Sequence, residues 1–144
     1  MYACFAAGAL ATGCEYEINE AAPAYAELRP DRWLADVCRQ EMRRLGREPV
    51  PADIEAGLPL GSTDMGNVTH VLPGIHPIIG VDAGGATVHQ RAFAAAAAGS
   101  SADRAVVEGA VMLARTVVAL AQDAGQRERV LQAQHVRASG EAAR

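Results

Sequence analysis

The sequence predicts an α/β protein, and three observations carry that expectation. A polar block, Gly61-Ser62-Thr63-Asp64-Met65-Gly66-Asn67-Val68, is followed by an apolar run from Ile75 to Val81, then by Gly84-Gly85 and His89. The run is apolar on both faces except at His76, as in a central strand covered by helices. From about Ala102 to Gln122 the residues are nearly all Val, Ala, Leu or Met, while Arg104, Glu108, Arg115 and Gln122 fall within roughly 40° of one another at 100° per residue. A helix with so narrow a wet stripe must be covered on most of its circumference. Ligands of open α/β sheets bind at the carboxyl ends of strands, which places the polar block and His89 together at one end of the predicted sheet.

The elements follow in order. Residues 2 to 12 are alanine-rich and closed by Gly13, a short helix with its stop. Cys14, Tyr16 and Ile18 alternate with Glu15, Glu17 and Asn19, the period of a strand with one wet face. Residues 20 to 30 form a linker with two prolines. Asp31 caps a helix running to Leu45, with Arg43 and Arg44 at its negative end and Gly46 closing it. Leu34, Val37, Cys38, Met42 and Leu45 give that helix an apolar face. Residues 47 to 60, with three prolines and one glycine, predict a loop with room for one short strand. Ala92 to Ala98 is an alanine run of helical character ended by Gly99. Beyond Gly125 a short polar helix leads into a frayed tail.

Composition bounds the function. The chain has 144 residues, half of them apolar, so it buries a core rather than staying disordered. Its net charge of −4 argues against nucleic acid and against anionic membrane, both of which need a basic face. All thirteen basic residues are arginine. Three cysteines, Cys4, Cys14 and Cys38, form no CxxC pair, and their odd number predicts free thiols in a cytoplasmic protein. Leu10-Ala11-Thr12-Gly13-Cys14 looks like a lipoprotein cleavage site, but no Arg or Lys precedes it, so export is not expected. No stretch approaches the ~18 uncharged apolar residues of a membrane span.

The polar block, the Pro73-Gly74-Ile75-His76-Pro77 segment and the late His89 together resemble the zinc-dependent aminoacylase and carboxypeptidase-G family of metallopeptidases, above all its amidohydrolase branch. That branch carries a Gly-Ser-Thr-Asp-x-Gly-Asn-Val loop, a Pro-x-Ile-His-Pro segment and a late metal-binding His. The resemblance covers nearly the whole chain but only the last part of such an enzyme. It implies the C-terminal part of an α/β/α zinc-peptidase-like catalytic domain at 23–135, preceded at 1–22 by the last helix and strand of an α+β lid, with a flexible tail at 136–144. The lid of such enzymes often mediates dimerisation, so the resemblance implies a homodimer for the complete protein.

It also implies hydrolysis of N-acyl amino acids, dipeptides or related small amides with a divalent metal, zinc or else manganese or cobalt. His89 would be a metal ligand; taken alone, one histidine is more often a surface or capping residue. In the family a Thr usually follows this His, and here Gln90 stands in its place. Ser62, Thr63 and Asp64 would line the substrate pocket, with Asn67 a weaker candidate. Asp64 reads equally well as a helix cap or turn residue. His76 is either a hydrogen-bonded strand histidine or a support for the metal site. His70 and His135 receive no role, and Tyr25 and Trp33 read as packing aromatics. Two-metal amidases need about five ligands and a carboxylate base, and the family places most of them upstream in motifs this chain lacks. No catalytic residue is therefore expected here, and the chain alone is expected to be inactive. The competing expectation is a non-catalytic binding module that keeps the fold's tail.

Overall fold

Two helices hold most of the core. The structure, a computed structural model, describes residues 2–55, 57 and 63–139, with seven helices and no strand among them. They are α1 (Tyr2–Thr12), α2 (Arg32–Arg44), α3 (Ala52–Glu55), α4 (Met65–Val71), α5 (Arg91–Ala96), α6 (Ser100–Gln122) and α7 (Ala124–Ala138). The main packing contacts join α2 to α6, α4 to α7 and α6 to α7.

Helix α2 starts where Asp31 accepts the Leu34 amide at 3.0 Å, as expected of a cap. Arg43 and Arg44 sit in its last turn, and Gly46 follows at φ +77°, a conformation glycine adopts without strain. Its buried stripe is Leu34, Cys38 and Glu41, so an acid occupies a place the apolar pattern assigned to Met42 and Leu45, which are half-buried. One Glu41 oxygen pairs with Arg44; the other makes no hydrogen bond and faces Arg115 at 3.7 Å. Helix α6 answers α2 with Ala102, Ala105, Met112 and Thr116. Thr116 returns its hydroxyl proton to the Met112 carbonyl at 2.9 Å, so this buried hydroxyl is satisfied. Burial pushes the Cys38 thiol up, which keeps it protonated and unreactive.

The α/β expectation is wrong for the described residues: the architecture is all-helical. A strand exists only through hydrogen bonds to a neighbouring strand, and Ile75 to Val81 has none. Its alternation survives, with Ile75, Pro77, Ile79 and Val81 half-buried and His76, Ile78 and Gly80 exposed. Ile79 faces α6, where its Cδ1 comes within 3.7 Å of where a Cβ on Gly109 would stand. Backbone groups find other partners: Asp31 N–H donates to Gly74 O at 2.9 Å, Arg47 donates to Gly80 O at 2.8 Å, and Asp82 N–H donates to Ser101 Oγ at 2.8 Å. The second predicted strand fails likewise, because Cys14, Tyr16 and Ile18 are all exposed and pair with nothing regular.

The expected loop at 47–60 contains the single turn α3, and the polar block continues into α4. Helix α7 runs through Ala138. By length and composition α6 resembles a membrane span, but it carries Asp103, Arg104, Glu108 and Arg115 and packs one side on α2.

Candidate functional site

The polar block is built around a close approach. Gly66 lies so near residues 26 and 27 that a Cβ there would stand 1.8 Å from Ala26 O and 2.7 Å from Ala26 C. The next residue uses that proximity. Asn67 Oδ1 accepts the Ala26 amide at 2.7 Å, and its Nδ2 donates to Ala24 O at 3.2 Å, so the carboxamide pairs with the chain much as a neighbouring strand would. Two residues on, fully buried Thr69 accepts the Arg29 amide at 3.0 Å and donates to Gly66 O at 2.8 Å. Gly66, Asn67 and Thr69 thus form a clasp on residues 24–29.

Arginines on α7 hold the clasp from the other side. Arg137 donates to Thr69 O at 2.6 Å and to Leu72 O at 3.2 Å, satisfying carbonyls at the end of α4. Arg129 reaches both Asp31 oxygens, at 2.8 and 3.0 Å. Burial alone would push the Asp31 carboxyl up, but Arg129 and the Leu34 amide outweigh it and hold the group below its usual value of 3.8.

The remaining predicted residues are more open. Thr63 is half-buried and its hydroxyl accepts the Met65 amide at 3.3 Å. Asp64 stands at the cap position of α4 with φ −67° and ψ −14°, exposed, and its side chain makes no capping bond. Ser62 lies outside the described residues. His76 is exposed. Among residues given no role, His70 Nε2 lies 3.1 Å from Glu27 O and 3.4 Å from the Glu27 carboxylate.

His89 differs from all of them. It is exposed in a turn closed by the Thr87 amide donating to Gln90 Oε1 at 3.2 Å, with φ +67°, the one positive value outside glycine among the described residues. Such a backbone costs on the order of 1–3 kcal/mol and gathers at functional sites. His89→Gly is therefore expected to raise stability by about 1 kcal/mol, measured by denaturant unfolding, whereas His89→Ala keeps the strain and should not. Strain is invisible to spacing and motif, so this signal could not have come from the sequence.

No group of three or more His, Cys, Asp or Glu among the described residues could hold a metal ion. The donors among the described residues therefore do not by themselves make a metal centre; His89 offers one imidazole and belongs to no such group. A cleft of about 290 Å³ lies elsewhere, between the end of α2 and the start of α6, walled by Arg47, Asp82, Ser101, Arg104 and Glu108. Arg47 Nε pairs with Glu108 across it at 2.6 Å. None of the predicted site residues lines it.

Comparison with known proteins supplies what the geometry leaves open. The chain is 38% identical over 117 residues to Xaa-Arg dipeptidase of Mus musculus, covering 80% of this chain and 26% of that protein. With the Homo sapiens Xaa-Arg dipeptidase it shares 36% over 115 residues, again 80% of this chain and 26% of the relative. The chain is similar to part of a dipeptidase. These relatives support kinship with a peptidase family. The chain spans about a quarter of the length of the curated relatives it matches. No family model matches it, and no solved structure does.

Proposed function

We propose that this chain forms the C-terminal part of a metal-dependent amidohydrolase of the aminoacylase and carboxypeptidase-G type, acting on dipeptides or N-acyl amino acids. The observation that carries the reading is identity of 36–38% with two dipeptidases over 80% of the chain. The clasp supports it: Gly66, Asn67 and Thr69 fix the backbone from which Thr63 and Asp64 reach solvent. In this reading His89 gives one imidazole to a divalent metal, zinc first and manganese or cobalt as alternatives. The other ligands and the general base come from polypeptide outside this chain. The substrate is a small amide, the protein is cytoplasmic, and it binds neither nucleic acid nor membrane. The complete protein is a homodimer.

The test uses the chain alone and a chimera in which its matched region replaces the counterpart in the mouse dipeptidase. The chain alone is expected to release no product from a dipeptide with C-terminal arginine, with or without added zinc, manganese or cobalt. The chimera is expected to hydrolyse it and to lose both bound metal and turnover on His89→Ala, since a metal held by few ligands would bind more weakly without one of them. Chelator-sensitive turnover by the chain alone would refute the division of ligands. A folded chimera without activity would favour the non-catalytic binding module.

A further inference from the structure

We propose that Gln90 is a positioning residue: its side chain holds His89 in the left-handed conformation that aims the imidazole. The proposal deepens the hydrolase reading above and rests on it for what the imidazole is aimed at. A positive φ at the third residue of a four-residue turn suits glycine or asparagine. A bulkier residue keeps it only where its surroundings impose it. His89 stands there at φ +67°. Its own ring does not impose the conformation, because His89 is exposed and neither ring nitrogen makes a hydrogen bond to a described residue.

Gln90 is placed to impose it. It is the cap residue of α5, at φ −105° and ψ 150°, yet its side chain makes no capping bond. A short Ser, Thr, Asp or Asn oxygen at a cap turns forward onto the helix's own amides. The longer Gln90 side chain turns back instead, and its Oε1 accepts the Thr87 amide at 3.2 Å, spanning Val88 and His89. On the helix side Gln90 is fixed, since its carbonyl accepts the Ala94 amide at 3.0 Å and Phe93 is half-buried. The bond therefore ties Thr87 to a helix whose first turn is set, and His89 lies inside the closed loop. Without it, φ at residue 89 returns to the ordinary range near about −60°, swinging Cβ by more than about 100°. A metal–ligand distance tolerates a deviation of only about 0.2 Å, so an imidazole carried off in this way is lost as a ligand.

A double-mutant cycle in the chain alone tests the hold without any metal. His89→Gly relieves the strain and is expected to raise the urea midpoint of the wild-type chain. Gln90→Met keeps the length of the side chain but offers the Thr87 amide only a thioether, a weak acceptor. In that background His89→Gly is expected to raise the midpoint by about half as much or less, because residue 89 has already relaxed. In Gln90→Glu, which keeps the acceptor oxygen, the full gain should return. Equal gains in all three backgrounds, or no gain in the wild-type chain, would overturn the proposal. The mouse dipeptidase chimera supplies a readout that a merely structural role leaves unmoved, its affinity for zinc. Gln90→Met is expected to weaken that affinity about tenfold or more, as for residues that orient a metal ligand, and Gln90→Glu to restore it. Unchanged affinity in Gln90→Met would overturn the proposal as well. A folded chimera that binds no zinc with Gln90 intact would refute the hydrolase reading, and the cycle in the chain alone then decides whether Gln90 holds His89.

Discussion

Gly66→Ala is expected to be the most damaging single-methyl change in the chain. The new Cβ would stand 1.8 Å from Ala26 O, and the obstacle is backbone rather than the end of a flexible side chain. Residues 24–29 must move, and the move breaks the Asn67 bonds to Ala24 and Ala26 and the Thr69 bond to Arg29. Overpacking with loss of these bonds should cost about 3 kcal/mol or more, against a typical total of ~5–15 kcal/mol. Gly80→Ala is the control, because a Cβ there meets nothing within 4 Å. Urea midpoints of the two variants measure the difference. A Gly66→Ala midpoint as close to wild type as that of Gly80→Ala would mean that residues 24–29 are not held as described.

The second large effect concerns Asp31 and Arg129, and it is asymmetric. Asp31 has a side chain only 5% exposed, whereas that of Arg129 is 41% exposed. Arg129→Met strands a buried carboxylate and should cost about 3 kcal/mol, at the low end for a buried pair because the arginine side is open to water. Asp31→Asn keeps an oxygen for the Leu34 amide and releases Arg129 into solvent, so its cost should be about 1 kcal/mol. The pH dependence follows from the lowered carboxyl. A group depressed in the folded state adds stability that is fully present above its unfolded value of 3.8 and is lost as pH falls through the folded value. Wild type should therefore lose stability below about pH 4, and Asp31→Asn should flatten that part of the curve. Equal cost for the two variants, with parallel acid profiles, would remove the pair from the account.

The sequence made the helices legible because their signals are local. Asp31 marks the start of α2, and Arg43, Arg44 and Gly46 its end, each within about one turn of the terminus it closes, and the stripe of α6 is a pure periodicity. The sheet was misread because a strand is a relation between segments. Ile75 to Val81 has strand composition and keeps alternate burial, yet no described strand pairs with its backbone. The site was half legible. The small and hydroxylated residues read as a pocket loop or a helix start, while the clasp that Gly66, Asn67 and Thr69 make reaches residues 24–29, some forty positions away. Arg129 and Arg137 sit in a polar helix where every charge looks solvated, and only the fold reveals their partners. Glu41 shows the converse error, an acid on the core side of α2 that periodicity would exclude.

The reach of α7 bears on when the chain can fold. Arg129 contacts Asp31 across 98 positions, and Arg137 contacts Thr69 across 68. Both tie-points come from α7, the last of the described helices to leave the ribosome. Until residue 137 has emerged, Asp31 lacks its counter-ion and the final carbonyls of α4 lack their donor, so residues 24–29 and α4 are without these ties. Contacts of such separation must meet the entropy of closing long loops before they return any stability, which slows folding. A nascent chain stalled just short of Arg129 should therefore remain protease-sensitive at residues 24–29, and release of roughly the last three turns of α7 should close it in a single late step.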